Sequence, residues 1–233
     1  EDALRRKRKP CMIGTGSMCD PYMHCEEGLG YTRRCLEIID KYNCGVTVIT
    51  KSDRILRDID LFEQINRHSK AVVQMTLTTY DEKLCRIIEP NVCSTNRRCE
   101  VLKEFQKRGI PTVVWLCPIL PYINDTEDNL RGILDYCIGA GVVGIINFGF
   151  GVTLRNGNRE YFYQKLDEQF PGMKERYQKR FGNSYECPSD NATKLWGIFK
   201  RECQTRGVMY SPNDIFSYLN DYPTANEQLC LFD

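Results

Sequence analysis

The sequence has no apolar run long enough to cross a membrane, which takes about 20 consecutive apolar residues. Its N-terminal stretch, EDALRRKRKP, also lacks the apolar core of a secretory signal. With 42% hydrophobic and 27% charged residues, the composition is that of an ordinary globular chain. We therefore expect a cytoplasmic protein with no membrane partner, and 233 residues suffice for a sizeable core.

The sequence also lacks the usual signatures of a metal site or a disulfide framework. Its 13 cysteines are odd in number and scattered, no CxxC or CxxxCxxC occurs, and two histidines are too few for a histidine-built zinc site. We expect most of the cysteines to be reduced core residues. Three lie in apolar-periodic segments: Cys35, Cys117 and Cys137. A metal site at Cys19, His24 and Cys25 is left as an alternative to the favoured interpretation, a polar loop.

The sequence also has no marked excess of positive or negative charge, because 32 basic and 31 acidic residues leave a formal net charge of +1. This balance gives no global field that would favour nucleic acid. Only the run from Arg5 to Lys9 is strongly basic, and such a run is typical of the solvated end of a helix.

What the sequence does have is a repeated alternation of strand-like and helix-like segments. The predicted strands are 11–16, 45–50, 71–77, 112–117 and 142–148; the helices between them are 29–42, one ending near 68, 100–107 and 127–140. Further amphipathic helices are predicted at 159–170, 191–206 and 213–219. A row of βα units predicts an α/β fold with a parallel sheet and right-handed crossovers. The pattern leaves open whether the sheet closes.

Polar residues follow the predicted strands, at the edge where parallel α/β sheets bind ligands. Lys51 comes directly after the buried strand GVTVIT, Thr76 lies near the end of the third strand, and Asp20 follows the first. We expect these three side chains to meet at one mouth. Taken alone, Lys51 also fits a surface ion pair, and Asp20 a turn before Pro21.

The helix predicted after Lys51 carries alternating acids and bases. Asp53 and Arg57 are four residues apart, as are Arg54 and Asp58, which predicts weak ion pairs along a helix surface. We assign these residues no catalytic role.

Four phrases carry a resemblance to a known family: GTGSMCDPY, TKSDRILRDIDL, TLTTYDEKLCRIIEPN and PILPYINDTEDN. In this order and at these intervals, they resemble radical S-adenosylmethionine (SAM) proteins related to spore photoproduct lyase, over at least residues 11–155. The resemblance implies a partial (β/α)6 TIM-like barrel whose first βα unit is missing. Residues 1–155 would supply barrel strands two to six, and residues 156–233 would form a C-terminal helical extension packed on the barrel.

The resemblance implies two cofactors, SAM and a 4Fe–4S cluster. The family's CxxxCxxC loop follows the first strand, so the cluster ligands are expected upstream of residue 1 and no metal ligand is assigned in this sequence. The implied cofactor-binding residues are Cys19, Asp20, Lys51, Thr76 and Pro118. Lys51 would pair with the SAM carboxylate through a charge-assisted bond. Asp20 would stand where a Gly-Gly-Glu motif receives the SAM amino group.

The implied reaction is reductive cleavage of SAM to a 5′-deoxyadenosyl radical, which abstracts hydrogen from an unknown substrate, with nucleic acid as one candidate. An external donor such as flavodoxin or ferredoxin would supply the electron. The DNA-repairing lyases have a cysteine where this sequence has Ser17, and Cys19 is the candidate catalytic residue because strand side chains alternate. Without the cluster loop, the chain alone is expected to be inactive.

Two other functions remain open at this point. A barrel that has lost the cluster would bind SAM or another nucleotide without catalysis. An unrelated α/β-barrel aldolase would use Lys51 to form a Schiff base, because a desolvated lysine at a strand end can serve that reaction.

Overall fold

Five parallel strands form the central sheet of the computed structural model, which describes residues 1–7 and 9–221. The strands are β1 (Met12–Thr15), β2 (Gly45–Thr50), β3 (Ala71–Thr76), β4 (Thr112–Trp115) and β5 (Gly144–Ile146), in that spatial order. Each pairs in parallel with the next, which confirms the predicted α/β fold. Over the described ranges the sheet is open, with β1 and β5 as its outer strands. The closure of a six-unit barrel and its missing first unit stay predictions.

The helices that accompany the sheet precede its strands in turn along the chain. They are α1 (Asp2–Arg5), α2 (Glu26–Leu29), α3 (Tyr31–Lys41), α4 (Ile59–His68), α5 (Glu82–Ile88), α6 (Thr95–Lys107) and α7 (Glu127–Gly139), with a 3₁₀ turn at Asp53–Asp58. A capping oxygen accepts a backbone N–H that the helix leaves unpaired, as Thr126 does for Asn129. Ser52 caps the 3₁₀ turn in the same way, by accepting from the amide of Arg54. The cap turns the chain away from β2 directly after Lys51.

The two faces of the sheet differ because side chains alternate along each strand. One face, with Val48 and Val73, packs against the helices in the main core. A sequential strand order with right-handed crossovers keeps these helices on one side. The other face carries a hydrogen-bonded row, in which Gln74 donates to Thr47 Oγ1 (2.5 Å) and Trp115 Nε1 donates to Gln74 Oε1 (2.6 Å).

Beyond β5 the chain adds a two-stranded antiparallel ribbon and further helices. These elements are β6 (Gly151–Thr153), α8 (Asn158–Gln169), α9 (Met173–Phe181), β7 (Glu186–Pro188), α10 (Ala192–Arg206) and α11 (Pro212–Asn220). Helix α10 packs beside α7. Helix α11 covers one end of the inner sheet face, where Ile215 joins Val72 and Val113 in a separate apolar cluster. The division at residue 155 stays a prediction, and 222–233 lie outside the described residues.

The three C-terminal helices predicted from the sequence are present as α8, α10 and α11. Sequence reasoning misses α9 and the ribbon. Helix α9, MKERYQKRF, buries only Tyr177 and Phe181 among charged neighbours, and each ribbon strand has three residues, too few for a visible alternation. No helix in the described part of the chain is long and apolar enough to span a bilayer.

Candidate functional site

A cleft of about 1260 Å³ opens at the carboxyl ends of the strands. One side is lined by residues that follow strands: Lys51, Thr78, Cys117, Pro118 and Phe148. The segment 86–92, at the end of α5, and parts of α8 and the ribbon line the rest. Typical ligand pockets hold about 300–1,000 Å³, so this cleft has room for more than one small molecule.

Lys51 lies at the cleft in an ion pair that sequence reasoning does not foresee. Its ammonium contacts Glu89 Oε1, and Glu89 Oε2 accepts from Arg98 Nη1 at 2.8 Å. The Arg98 side chain is fully buried, that of Glu89 is 9% exposed, and that of Lys51 is 34% exposed. Burial works to raise the pKa of Glu89, but the charges and hydrogen bonds of Lys51 and Arg98 outweigh it and lower that pKa. Glu89 is therefore an ionised acid held between two cations.

In this group of three charges, two cations contact one carboxylate. Arg98 also donates to the carbonyls of Thr76 (2.9 Å) and Cys93 (2.9 Å), which fixes its guanidinium. Its Nη2 atom is buried and has no partner among the described residues. A buried donor without an acceptor is costly. Arg98 is not among the residues that line the cleft, so it acts on the cleft only through Glu89.

Asp20 lies beside Lys51 and hydrogen-bonds the backbone of that residue. Its Oδ2 accepts from the amide of Lys51 (2.8 Å), while Oδ1 accepts from the Thr50 hydroxyl (2.7 Å) and the amide of Tyr22 (2.9 Å). Both carboxylate oxygens are thus occupied by the protein. Asp20 is not among the residues that line the cleft, and its contact with a SAM amino group stays a prediction.

The other predicted residues differ in where they lie. Thr76 is the buried last residue of β3. Because Thr50 pairs with Met75, the next residue of each strand, Lys51 and Thr76, lie beside each other. Pro118 lines the cleft after a cis peptide bond. Cys19 is exposed outside the cleft lining, with its Sγ 3.5 Å from Met23 Sδ. Lys51 and Pro118 therefore line the cleft together, whereas Thr76, Asp20 and Cys19 are not among its lining residues.

Hydrogen bonds between two of the quoted phrases hold the rim of the cleft in place. The side-chain amide of Asn124 donates to the carbonyl of Thr78 (2.9 Å), and that of Asn129 donates to the same carbonyl (3.0 Å). Asn129 Oδ1 also accepts from the amide of Tyr80 at 2.6 Å. The loop after β3 and the loop after β4 are therefore one unit, and Thr78 is fixed at the cleft.

The segment after Lys51 is not the surface helix that its spacing predicts. Asp58 is fully buried, with Oδ2 accepting from the Tyr22 hydroxyl (3.0 Å) and from Arg57 Nη2 (2.8 Å). Arg33 donates to Asp58 Oδ1 at 3.1 Å. The predicted pairs four residues apart do not form, because the first turns are 3₁₀ and the acids bind partners from other segments.

Cysteine positions match the expectation only in part. Cys137 is buried, and burial raises the pKa of its thiol. Cys117 lines the cleft, and burial raises its pKa to about 11. The expectation for Cys35 is wrong: this residue is exposed, because α3 buries its face at Leu36 and Ile39 instead.

A 4Fe–4S cluster needs a group of thiolates at close range. Within 1–7 and 9–221, no three histidine, cysteine, aspartate or glutamate side chains are grouped as a metal site. His24 instead hydrogen-bonds Arg54 Nη2 (2.8 Å) and the carbonyl of Asn91 (3.1 Å). The described residues do not fit the cluster.

Comparisons with known proteins give relatives of unassigned activity. No family model matches the chain. An uncharacterised protein of Methanocaldococcus jannaschii is 32% identical over 126 residues, covering 54% of this chain and 47% of that protein. An uncharacterised protein of Mycobacterium tuberculosis is 24% identical over 181 residues, covering 76% and 52%. The chain spans about half the length of the curated relatives it matches.

Solved structures give a clearer likeness. A spore photoproduct lyase variant with bound AdoMet and dinucleoside spore photoproduct matches with a TM-score of 0.64 at 11% identity, covering 90% of this chain and 63% of that chain. A domain of a pyruvate-formate lyase-activating enzyme from Bacteroides vulgatus matches with a TM-score of 0.52 at 9% identity, covering 87% and 97%. At sequence identities this low, a structural match is evidence about the fold alone. This chain therefore shares its fold with the spore photoproduct lyase and with the activating-enzyme domain.

Proposed function

We propose that this chain is the SAM-binding part of a radical SAM enzyme related to spore photoproduct lyase. The observation that carries the proposal is the ion-paired Lys51 at the strand-end cleft, with Glu89 and the buried Arg98 behind it. The shared fold with a lyase that binds AdoMet supports it.

In this proposal the residues of the chain bind and orient the ligand. Lys51 pairs with the carboxylate of SAM, and partial burial strengthens the bond relative to water. Pro118 lines the same cleft, and Thr76 would reach the ligand from the buried end of β3. Asp20 holds the backbone of Lys51, so its contribution is to position the ammonium.

The reaction, its substrate and the electron donor are proposed for the whole protein. It would cleave SAM reductively to a 5′-deoxyadenosyl radical that abstracts hydrogen from a substrate still to be identified, with nucleic acid as one candidate. The 4Fe–4S cluster that supplies this chemistry would be held by residues outside those described. A flavodoxin- or ferredoxin-like donor would be the electron partner. The described residues would contribute binding, orientation and exclusion of water.

Calorimetric titration with SAM tests the proposal. Lys51→Met should weaken binding by about 1.5–3 kcal/mol, the value of a hydrogen bond to a charged group, or roughly 10- to 150-fold. Lys107→Met is the matched control, because Lys107 pairs with Glu104 (2.6 Å) away from the cleft. Equal affinities of the two variants for SAM would remove Lys51 from the site.

A Schiff-base aldolase is the alternative that also uses Lys51. The ion pair with Glu89 opposes it, because an ammonium has no free electron pair with which to attack a carbonyl. Borohydride treatment with a small aldehyde should leave Lys51 unmodified. Covalent trapping at Lys51, mapped by mass spectrometry, would favour the aldolase.

A barrel that binds SAM or a nucleotide without catalysis is the second alternative. The lack of a metal-ligand group in the described ranges is the observation in its favour. Iron analysis of the full-length protein separates it from the enzyme, because only the enzyme should bind about four irons per chain.

A further inference from the structure

We infer that Cys11 and Cys44 form a reversible redox modification site, at which a small disulfide such as oxidised glutathione converts the two thiols into a disulfide. The inference does not depend on the proposed function. The site lies at the amino ends of β1 and β2, the end of the sheet opposite the cleft.

The register of β1 and β2 places the two cysteines side by side. Met12 pairs with Gly45 in the parallel ladder, and the amide of Gly45 donates to the carbonyl of Cys11 at 3.1 Å. Cys11 and Cys44 are the residues directly before that pair. Neighbouring strands lie about 4.7–4.9 Å apart, and paired residues point to the same face. This spacing falls within the about 4.4–6.8 Å between Cα atoms that a disulfide spans.

The two side chains also act on each other. Burial raises the pKa of the Cys44 thiol, hydrogen bonding with the backbone of Cys11 lowers it, and hydrogen bonding with the Cys11 side chain raises it. Cys44 is 2% exposed, whereas Cys11 is partly exposed. A dissolved oxidant therefore reaches Cys11 first, and Cys44 is the thiol that completes the disulfide.

The exchange balances with one molecule of oxidised glutathione. The thiolate of Cys11 attacks one glutathione sulfur, which forms a mixed disulfide and releases the first glutathione. Cys44 loses its proton to water and attacks the Cys11 sulfur, which releases the second glutathione. The protein thiols give up two electrons and two protons, and one glutathione disulfide becomes two glutathione thiols. Excess reduced glutathione drives the same steps backwards.

A second group of neighbouring cysteines is less suited to this chemistry. Cys99, Cys137 and Cys203 lie in the main core and are all buried. Burial raises the pKa of Cys99 and that of Cys203 to about 12. Thiols that stay protonated and out of reach of solvent are inert. Cys11, which is partly exposed, differs from them in access.

A disulfide at this position would secure an outer strand. Over residues 1–7 and 9–221, β1 pairs with β2 alone. The loop after β1 carries Asp20, which accepts the amide of Lys51 at the end of β2. A covalent link between the two strands restricts the unfolded chain, so the oxidised protein should resist unfolding better than the reduced one.

The test is disulfide mapping of the folded chain after treatment with oxidised glutathione. Free thiols are alkylated, and the tryptic peptides are analysed by mass spectrometry without reduction. Peptide 42–51 has Cys44 as its one cysteine, whereas peptide 9–33 carries Cys11 and two exposed cysteines. The two peptides should be joined, and fragmentation of the joined species should locate the link at Cys11.

Two variants sharpen the test. Cys11→Ser should abolish the link between the peptides, whereas Cys25→Ser, the matched control on the same peptide, should retain it. The urea midpoint should rise on oxidation for wild type and Cys25→Ser and stay unchanged for Cys11→Ser. Treatment with dithiothreitol should reverse both the link and the rise.

The same treatment in concentrated urea shows whether the fold selects the pair. Cys35 is nearer to Cys44 in the sequence than Cys11 is, and short loops close more readily, so the unfolded chain should favour Cys35. In the folded chain, three results would overturn the inference: a link from Cys44 to another cysteine, a glutathione that stays on Cys11 while Cys44 is alkylated, or alkylation of both thiols.

Discussion

The carboxylate of Asp20 accepts the backbone N–H of Lys51 at 2.8 Å, so an acid on the loop after β1 holds the residue that ends β2. The same carboxylate accepts from the Thr50 hydroxyl at 2.7 Å. The position of the Lys51 ammonium therefore depends on a residue outside the cleft.

Asp20→Asn should lower both stability and ligand affinity. An amide offers one acceptor oxygen where the carboxylate offers two, so at least one donor loses its partner, at a cost of about 1–3 kcal/mol in the free energy of unfolding. Urea unfolding measures this cost. Asp128→Asn, at an exposed position in the first turn of α7, is the control and should change stability by a few tenths of a kcal/mol. Equal effects of the two variants would show that Asp20 does not hold Lys51.

Glu89 should make stability depend on acid pH. Because its pKa is lower in the folded chain than in the unfolded one, its contribution is present above about pH 4.3 and is lost as pH falls through the folded pKa. Glu89→Gln should cost about 2–4 kcal/mol at pH 7, less than a fully buried pair because Lys51 is partly exposed.

Urea midpoints at several pH values measure the effect of Glu89→Gln. The difference from wild type should shrink as pH falls below about 4.3, the ordinary glutamate value, and should vanish once pH has fallen through the lower pKa of the folded carboxylate. A difference that stays constant across this range would mean that Glu89 stabilises the fold by packing and not by charge.

Tyr22→Phe should destabilise the chain through Asp58. The Tyr22 hydroxyl is buried and donates to Asp58 Oδ2 at 3.0 Å, and loss of one bond to a buried carboxylate costs about 1.5–3 kcal/mol. Thermal or urea unfolding measures the change. Tyr31→Phe, whose side chain is exposed, should be neutral. Indistinguishable midpoints for the two variants would contradict a role for the buried pair.

The chain as given should form no 4Fe–4S cluster. Reconstitution with iron and sulfide should give no stoichiometric visible absorbance, and SAM under reducing conditions should give no 5′-deoxyadenosine, because the described residues hold no group of three ligands. A protein extended by an upstream CxxxCxxC segment should give both. Stoichiometric cluster formation by the given chain would show that its ligands lie among the cysteines we place in the core.

The strands were predictable because their signal is local. The run GVTVIT spans Gly45–Thr50, which is β2 as the structure has it, since β-branched apolar residues specify a buried strand without outside help. The same reasoning places Lys51 at a strand end. It cannot say what the ammonium touches.

The partners of the site were not predictable because they are distant in sequence. Glu89 is 38 residues from Lys51, and Arg98 comes from a different helix again. Glu89 does lie in a phrase that carries the family resemblance, which was the one available signal. For Asp58 the local signal gave a wrong partner. Its spacing predicts an ion pair with a neighbour on the same helix, whereas the buried carboxylate accepts hydrogen bonds from Tyr22 and Arg33.

The bonds that Asn124 and Asn129 make to Thr78 have a consequence for how a ligand enters. They join the loops after β3 and β4 into one rigid side of the cleft. Separating these loops would expose several buried polar groups at once. The ribbon is tied to the same unit, because the amide of Ile119 donates to the carbonyl of Gly151 (3.2 Å) and the Ser189 hydroxyl donates to Asp125 Oδ2 (2.5 Å). A ligand that enters the cleft is thus expected to displace exposed side chains of the lining, such as Phe148 and Tyr161, before it separates these backbone segments.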